Sequence, residues 1–567
     1  MPRAQSRTKD EKFKVAWSTF LGGNDFVELA AIATDKGQRV AVAGASFATD
    51  YPVTAGAVQQ ARNGTSLYTP YQSDLVVTVL DKDGASLAYS TYLGGAGYEL
   101  AADLGFDDQG LVTVVGEGGA GFPTTSGAFL TTAPSTSGVH AVAARIDTAK
   151  GSLLWSTYVG GSAWGRARAV ALRADGAVWV GGETRSTDFP TTTAAYKPKP
   201  RSTGGDDALE GFVVRFAAAG DKLEVASFVG GSADDSVACL LVEPSGALLA
   251  GGWTRSKDLG VPKGALQEGY AGHGSPPVAL RGDGFVLRFD AALSKLDAGT
   301  YYGGAGEDEI TALALGELGD VWVGGQTGSA DLPGTRDMAG GTYLGAGYAT
   351  WRGDAFAARL TPDLHGLLAM CYHGGSDVEE LRGLAWEPDR QSVLLAGTSR
   401  SGDLPVTQDA LMKGTGSYYG GFLARRTPGL VHLTVKGTAT PCAGAMPLEP
   451  LGPAVQDDAG FAVLARGLPR QAPGFVLVGV RDLQQEVVLG PPLQVRVVVD
   501  PNPSLILPVQ ADAEGRCLIP LPLKGVTQAQ VAALWLQTFW VVDPRWPCTG
   551  AGLMRNTVAL GLDVLTP

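Results

Sequence analysis

Three features of the sequence predict an all-β protein, a six-bladed β-propeller of four-stranded blades followed by a C-terminal β-sandwich. The first is a stretch that recurs as Trp17-Ser-Thr-Phe-Leu-Gly-Gly23, Tyr89-Ser-Thr-Tyr-Leu-Gly-Gly95, Trp155-Ser-Thr-Tyr-Val-Gly-Gly161 and Val225-Ala-Ser-Phe-Val-Gly-Gly231, with looser copies ending at Gly304 and Gly375. Its Gly-Gly pairs lie 72, 66, 70, 73 and 71 residues apart, the mark of one supersecondary unit copied six times. The second is that each period holds short runs of alternating small and branched residues bounded by Gly/Asp turns, which read as strands. The third is composition: 80 glycines and 45% hydrophobic residues in 567 positions, without a collagen period, suit many strands and tight turns rather than disorder.

Each period supplies four strands in a fixed order. After Gly-Gly come two apolar runs split by a turn, as in Ala169-Val-Ala-Leu172 and Val178-Trp-Val-Gly-Gly182, a β-hairpin by its spacing. The many Ala and Gly in these runs predict close approach of neighbouring sheets. A long polar segment follows, entered through Asp-hydrophobic-Pro at Asp50, Asp188, Asp331 and Asp403, stretched at Asp258 and lacking its Asp at Phe122-Pro123. A third strand comes next, as in Gly211-Phe-Val-Val-Arg-Phe216, and a Gly/Asp turn leads into the next aromatic strand.

Register decides between a closed ring and an open array. The chain starts on a fourth strand (Phe13 to Leu21) and ends the array on a third, Gly421-Phe-Leu-Ala-Arg425. Pairing the two closes six blades and removes exposed sheet edges. The expected organisation is therefore a tail at 1–12, a propeller at 13–428 and a β-sandwich at 429–567, where short strands alternate with Pro/Gly clusters.

The ordered set Ser-Thr-Tyr-Leu-Gly-Gly, Val-Trp-Val-Gly-Gly, Ser-Thr-Asp-Phe-Pro and Asp-Ala-Phe resembles the bacterial β-propeller repeat of the SBBP type over residues 13 to 427, with motifs that degrade in copies two, five and six. That resemblance implies a propeller of exported or cell-surface bacterial proteins. The landmarks Gly437-Thr-Ala-Thr-Pro-Cys442, Ile506-Leu-Pro508, Ile519-Pro-Leu-Pro522 and Leu536-Gln-Thr-Phe-Trp-Val-Val-Asp543 resemble a small β-module of secreted bacterial repeat proteins. It implies a bridge from Cys442 to Cys517 or Cys548.

A net charge of −13 argues against nucleic acid and anionic membrane as partners. No run of 18 apolar residues suggests a membrane span, and Met1 to Val15 lacks the apolar stretch of a signal peptide. The chain reads as a monomer, extracellular or at a cell surface.

Candidate site residues fall just after Gly-Gly, at a turn on one rim. Phe26, Tyr98 and Trp164 share one register and could stack on a sugar or peptide. Later copies place Asp234 and Asp235, Glu307 and Asp308, and Glu379 there. Converging carboxylates suit Ca²⁺, which takes about six to eight oxygens, or the acid pair of a glycosidase. They equally suit turn capping, and no EF-hand-like string occurs to favour the metal. The recurring Arg145, Arg215, Arg288, Arg359 and Arg425 read as scaffold, as do the Asp-hydrophobic-Pro acids. The five histidines have no metal-ligand spacing, and neither a nucleophile elbow nor a P-loop occurs. The expectation is a non-catalytic scaffold that binds protein or carbohydrate and needs no cofactor. The alternative is a secreted polysaccharide hydrolase or lyase using the rim carboxylates.

Overall fold

The structure is a computed structural model. It describes residue 17 and residues 19–426 except 64–71, 136–137, 174, 201–207, 273–280, 318, 336–341, 346–352, 389–391, 408–409 and 411–419, and beyond 426 only the backbone of separate strands. Six antiparallel sheets follow one another as the blades of a propeller. Five have four strands in simple meander order and the sixth has three. The inner strands are Val27–Thr34, Leu100–Phe106, Gly165–Leu172, Asp235–Val242, Asp308–Leu315 and Glu379–Glu387.

A meander fixes which loops share a face. The Gly-Gly corners and the long loops between second and third strands lie on one face; the short hairpin turns lie on the other. The core sits between blades. One cluster joins Val115, Ala141 and Ala143 of the second blade to Val178, Val180 and Phe212 of the third. Another joins Trp179 and Val213 of the third to Leu248, Phe285 and Phe289 of the fourth. Packing of sheet on sheet, with branched and aromatic residues interdigitating, is what the strand sequences dictate.

Each motif has a physical task. The inner strand of every blade is bulged, between Ala167 and Ala169 in the third. The bulge drives its backbone against the second strand, so a side chain at Gly182, Gly252 or Gly325 would collide with the carbonyl of Arg166, Ser236 or Glu309. The crowding expected from the small residues is thus partly between neighbouring sheets and partly inside each one. The Asp of the Asp-hydrophobic-Pro turn accepts the N–H that follows Gly-Gly: Asp188 from Ser162 at 2.9 Å, Asp258 from Ser232 at 2.8 Å and Asp331 from Ala305 at 2.9 Å. The third-strand arginines bind acids of the opposite face, Arg145 with Asp107 at 2.7 Å and Arg425 with Glu387 at 2.6 Å. In the third blade the turn carries Arg173 instead of an acid, and Arg215 pairs with Glu224 at 2.9 Å.

Exposed apolar side chains gather at the two ends of the array, Phe26, Leu29 and Ile32 in the first blade and Leu423 in the sixth. The strand expected to complete the sixth blade lies partly outside the described residues. Trp17 itself rests against Gly84 of the first blade, as Trp155 rests against Gly220 of the third. Beyond the propeller, His432–Lys436, Met554–Asp563, Trp535–Val541, Pro473–Gly479 and Leu505–Gln510 form a five-stranded sheet in that order. The Cys442 bridge lies outside the described residues. No helix among them is long and apolar enough to cross a membrane.

Candidate functional site

The predicted rim register is real, but its members part company. Phe26, Trp164, Asp234 and Glu307 occupy equivalent positions. Each backbone carbonyl accepts the N–H of the residue leaving the second strand: Phe47, Arg185, Arg255 and Gly328 respectively. Three aromatics lie along this arc. Phe26 is exposed and tilted against Phe47 at 5.9 Å; Tyr98 and Trp164 are half-buried. The Arg166 and Arg185 guanidiniums flank the Trp164 ring at 5.7 and 6.0 Å. Asp234 faces solvent in part and pairs with Arg255 at 3.3 Å.

The structure corrects the reading of Asp235, Asp308 and Glu379 as rim ligands: all three are buried, and so is Glu307. Asp235, Asp308 and Glu379 point back beneath the Gly-Gly corner rather than outward. Asp235 accepts the Gly231 N–H at 2.7 Å and the Ser256 hydroxyl at 2.8 Å, with Thr254 on its other oxygen. Asp308 repeats the set with Gly304 at 2.8 Å, Ser329 at 2.9 Å and Thr327. Glu379 takes Gly375 at 3.0 Å and Ser399 at 2.6 Å. Glu99, not singled out from sequence, does the same with Gly95 at 3.1 Å and Gly119 at 3.2 Å. Its signal was available, because all four acids stand four residues after the second glycine.

A second acid faces each of these from the preceding blade. A side chain added at Gly94 would meet Asp74 at 2.6 Å and Glu99 at 2.7 Å; one added at Gly303 would meet Asp283 at 2.7 Å and Asp308 at 2.9 Å. Burial, opposed by the hydrogen bonds and reinforced by the neighbouring acid, pushes Glu99 and Asp235 up to about 7 and Asp308 up to about 8. Asp74 and Asp354 rise to about 6, also chiefly by burial. N–H and O–H donors already occupy the oxygens of Asp235, Asp308 and Glu379, which are arranged to hold a carboxyl in place. Among the described residues no group of three or more His, Cys, Asp or Glu is placed to hold a metal.

Near the ring axis a ladder of charges crosses from blade to blade. Arg166 bonds Glu183 at 2.6 Å, and Arg168 reaches over from the third blade to Glu309 of the fifth at 2.6 Å. Arg281 and Gln326 share the other Glu309 oxygen. Burial works against the charge on Glu309, yet the Arg281 and Arg168 guanidiniums outweigh it and hold the carboxyl at about 2. Sequence reasoning missed this ladder because its members are 141 residues apart at the Arg168–Glu309 bond.

No family model matches the chain, and no curated protein matches it. Solved structures resemble it weakly. A fungal alcohol oxidase of the AA5 family in complex with copper has a TM-score of 0.28 at 10% identity, covering 95% of this chain and 100% of that one. Sqt1 from Chaetomium thermophilum gives 0.26 at 12%, covering 66% and 96%. A europium-containing methanol dehydrogenase gives 0.27 at 10%, covering 68% and 85%. Overlaps this low say nothing of the chemistry of this chain.

Proposed function

We propose that this chain is a non-catalytic binding scaffold, extracellular or at a cell surface, which holds a protein or carbohydrate on the aromatic arc of its corner-bearing face. One observation carries the reading. Three residues after the second glycine, Phe26, Tyr98 and Trp164 keep accessible surface, whereas one residue further on Asp235, Asp308 and Glu379 are buried under internal hydrogen bonds. Flat rings offer stacking surface at low entropic cost, and Arg166 and Arg185 add donors beside Trp164. The resemblance of the repeat motifs to the bacterial family supports the exported location, and the C-terminal strands fit the β-sandwich module expected after such repeats.

The alternative, a polysaccharide hydrolase or lyase, needs two carboxyls facing a shared opening. Asp235, Asp308 and Glu379 face backbone N–H groups instead, and Asp234 is paired with Arg255. The test is a glycan and peptide array probed with the intact protein and with Trp164→Ala and Phe26→Ala. Signals that drop about tenfold in Trp164→Ala, a usual effect for a lost anchor, support the scaffold reading. Ligands held equally by both variants, or cleavage of a polysaccharide by the intact protein, overturn it.

A further inference from the structure

The junction between the second and third blades departs from a pattern that four others share. In four junctions an acid follows the second glycine by four residues and a second acid opens the third strand of the preceding blade: Asp74 with Glu99, Glu210 with Asp235, Asp283 with Asp308, and Asp354 with Glu379. Here the two positions hold His140 and Gly165. The backbone is otherwise the same. Gly165 N–H bonds Val139 O at 3.2 Å, just as Asp235 N–H bonds Leu209 O at 2.9 Å. The third strand opens opposite Thr184 at Glu210, as it opens opposite Thr254 at Asp283.

The donors that elsewhere grip the carboxylate are also kept. Thr184 and Ser186 stand where Thr254 and Ser256 grip Asp235 and where Thr327 and Ser329 grip Asp308. With no acid to meet, Thr184 donates to Trp164 O at a long 3.4 Å, and Ser186 is left with the bond to Ala163 O at 3.1 Å that Ser256 makes to Ala233 O at 3.3 Å alongside its bond to Asp235. The buried Gly161 N–H, counterpart of the Gly231 and Gly304 donors, meets no acceptor among the described residues. Space is kept as well. A side chain at Gly230 would strike Asp235, whereas one at Gly160, with nearly the same φ (157° against 159°), would meet nothing within 4 Å.

We infer that this junction is a binding site for a small carboxylate, whose two oxygens would take the Gly161 N–H and the Thr184 and Ser186 hydroxyls in place of a missing side chain. A buried donor without an acceptor costs about 1–3 kcal/mol, so an anion of the right shape is drawn in. His140 completes the logic. It stands where four other junctions place a second acid, so an entering carboxylate does not meet that second acid. Burial lowers the affinity of His140 for a proton, and its Nε2 lies 3.2 Å from the Ser135 hydroxyl and carbonyl. Tyr158 stands edge-on to His140 at 6.2 Å. The site is independent of the aromatic arc and stands or falls separately.

The probe is acetate at pH 7, with chloride at matched ionic strength as reference. Saturable broadening of the acetate methyl resonance by the full-length protein is the expected result. Gly165→Asp supplies the carboxylate internally and should abolish that broadening. Because a Cβ at 165 would lie 3.2 Å from Glu183 O and Thr184 Oγ1, Thr184→Val is the second variant, and at least a fivefold weaker response is expected from it. Broadening that does not saturate, that chloride reproduces, or that survives in Gly165→Asp or in Thr184→Val overturns the site.

Discussion

Arg359 shows how a recurring residue acquires a local task. Its guanidinium is almost fully buried, 2.5 Å from Asp320 and against the stacked rings of Trp322 and Trp386, 5.4 and 4.9 Å from their centroids. Burying a charge is costly unless it is paired, and removing one partner strands the other. Asp320→Ala should therefore cost about 3–5 kcal/mol in chemical denaturation. A loss below about 1 kcal/mol would show that the cation is satisfied without Asp320. The repetition of Arg145, Arg215, Arg288, Arg359 and Arg425 was enough to assign them to the scaffold, since no single site needs the same cation in five blades. Their partners were not readable, because the acid shifts from Asp107 to Asp320 to Glu387 and in one blade moves to another strand.

At the scale of the strand, the Val-Trp-Val-Gly-Gly motif is explained by the bulge opposite it. A methyl at Gly325 would enter the van der Waals shell of Glu309 O, and Glu309 is itself fixed by Arg168 and Gln326. Gly325→Ala should destabilise by about 1–3 kcal/mol, the usual cost of overpacking, whereas Gly383→Ala, which meets nothing within 4 Å, should change stability far less. Equal effects in urea melts would remove the bulge as the reason for the motif. Periodicity revealed the strands, their number and their order, since those follow from local alternation of residue types. The depth of the acids was hidden for a different reason. Asp234 and Asp235 are adjacent in sequence, yet strand alternation sends one outward and one inward, and the start of the strand fixes which. Counting four residues from the second glycine would have settled it for Asp235, Asp308 and Glu379, though not for Glu307, which is buried three residues after its glycine.

Across the whole molecule the buried acids act together, and they bend the usual dependence of stability on pH. Glu99, Asp235 and Asp308 have folded values of about 7, 7 and 8, against ordinary values near 4 in the unfolded chain. The folded protein then holds protons more tightly than the unfolded one, so stability is highest below about pH 4 as far as these groups are concerned. It falls as pH rises toward 8 and levels off above that. Glu309 acts in the opposite sense, since its lowered value lends stability above about pH 4, but its effect is complete before pH 6. The interval from pH 6 to 8.5 therefore takes in the junction acids together with Asp103, which burial also raises to about 7. His140 and His373, whose proton affinity burial lowers, oppose the decline only near the lower end, around their ordinary value of about 6.5. Tm measured there at constant ionic strength should decline steadily, and Asp308→Asn, which cannot ionise, should decline less. Tyr270, Tyr302 and Tyr372 feel the charge of Asp308, but burial raises all three above their ordinary value, so they stay protonated throughout the interval. A Tm that is flat or rising from pH 6 to 8.5, or a decline identical in Asp308→Asn, would mean that the junction acids are ionised in the folded ring and held by their donors alone.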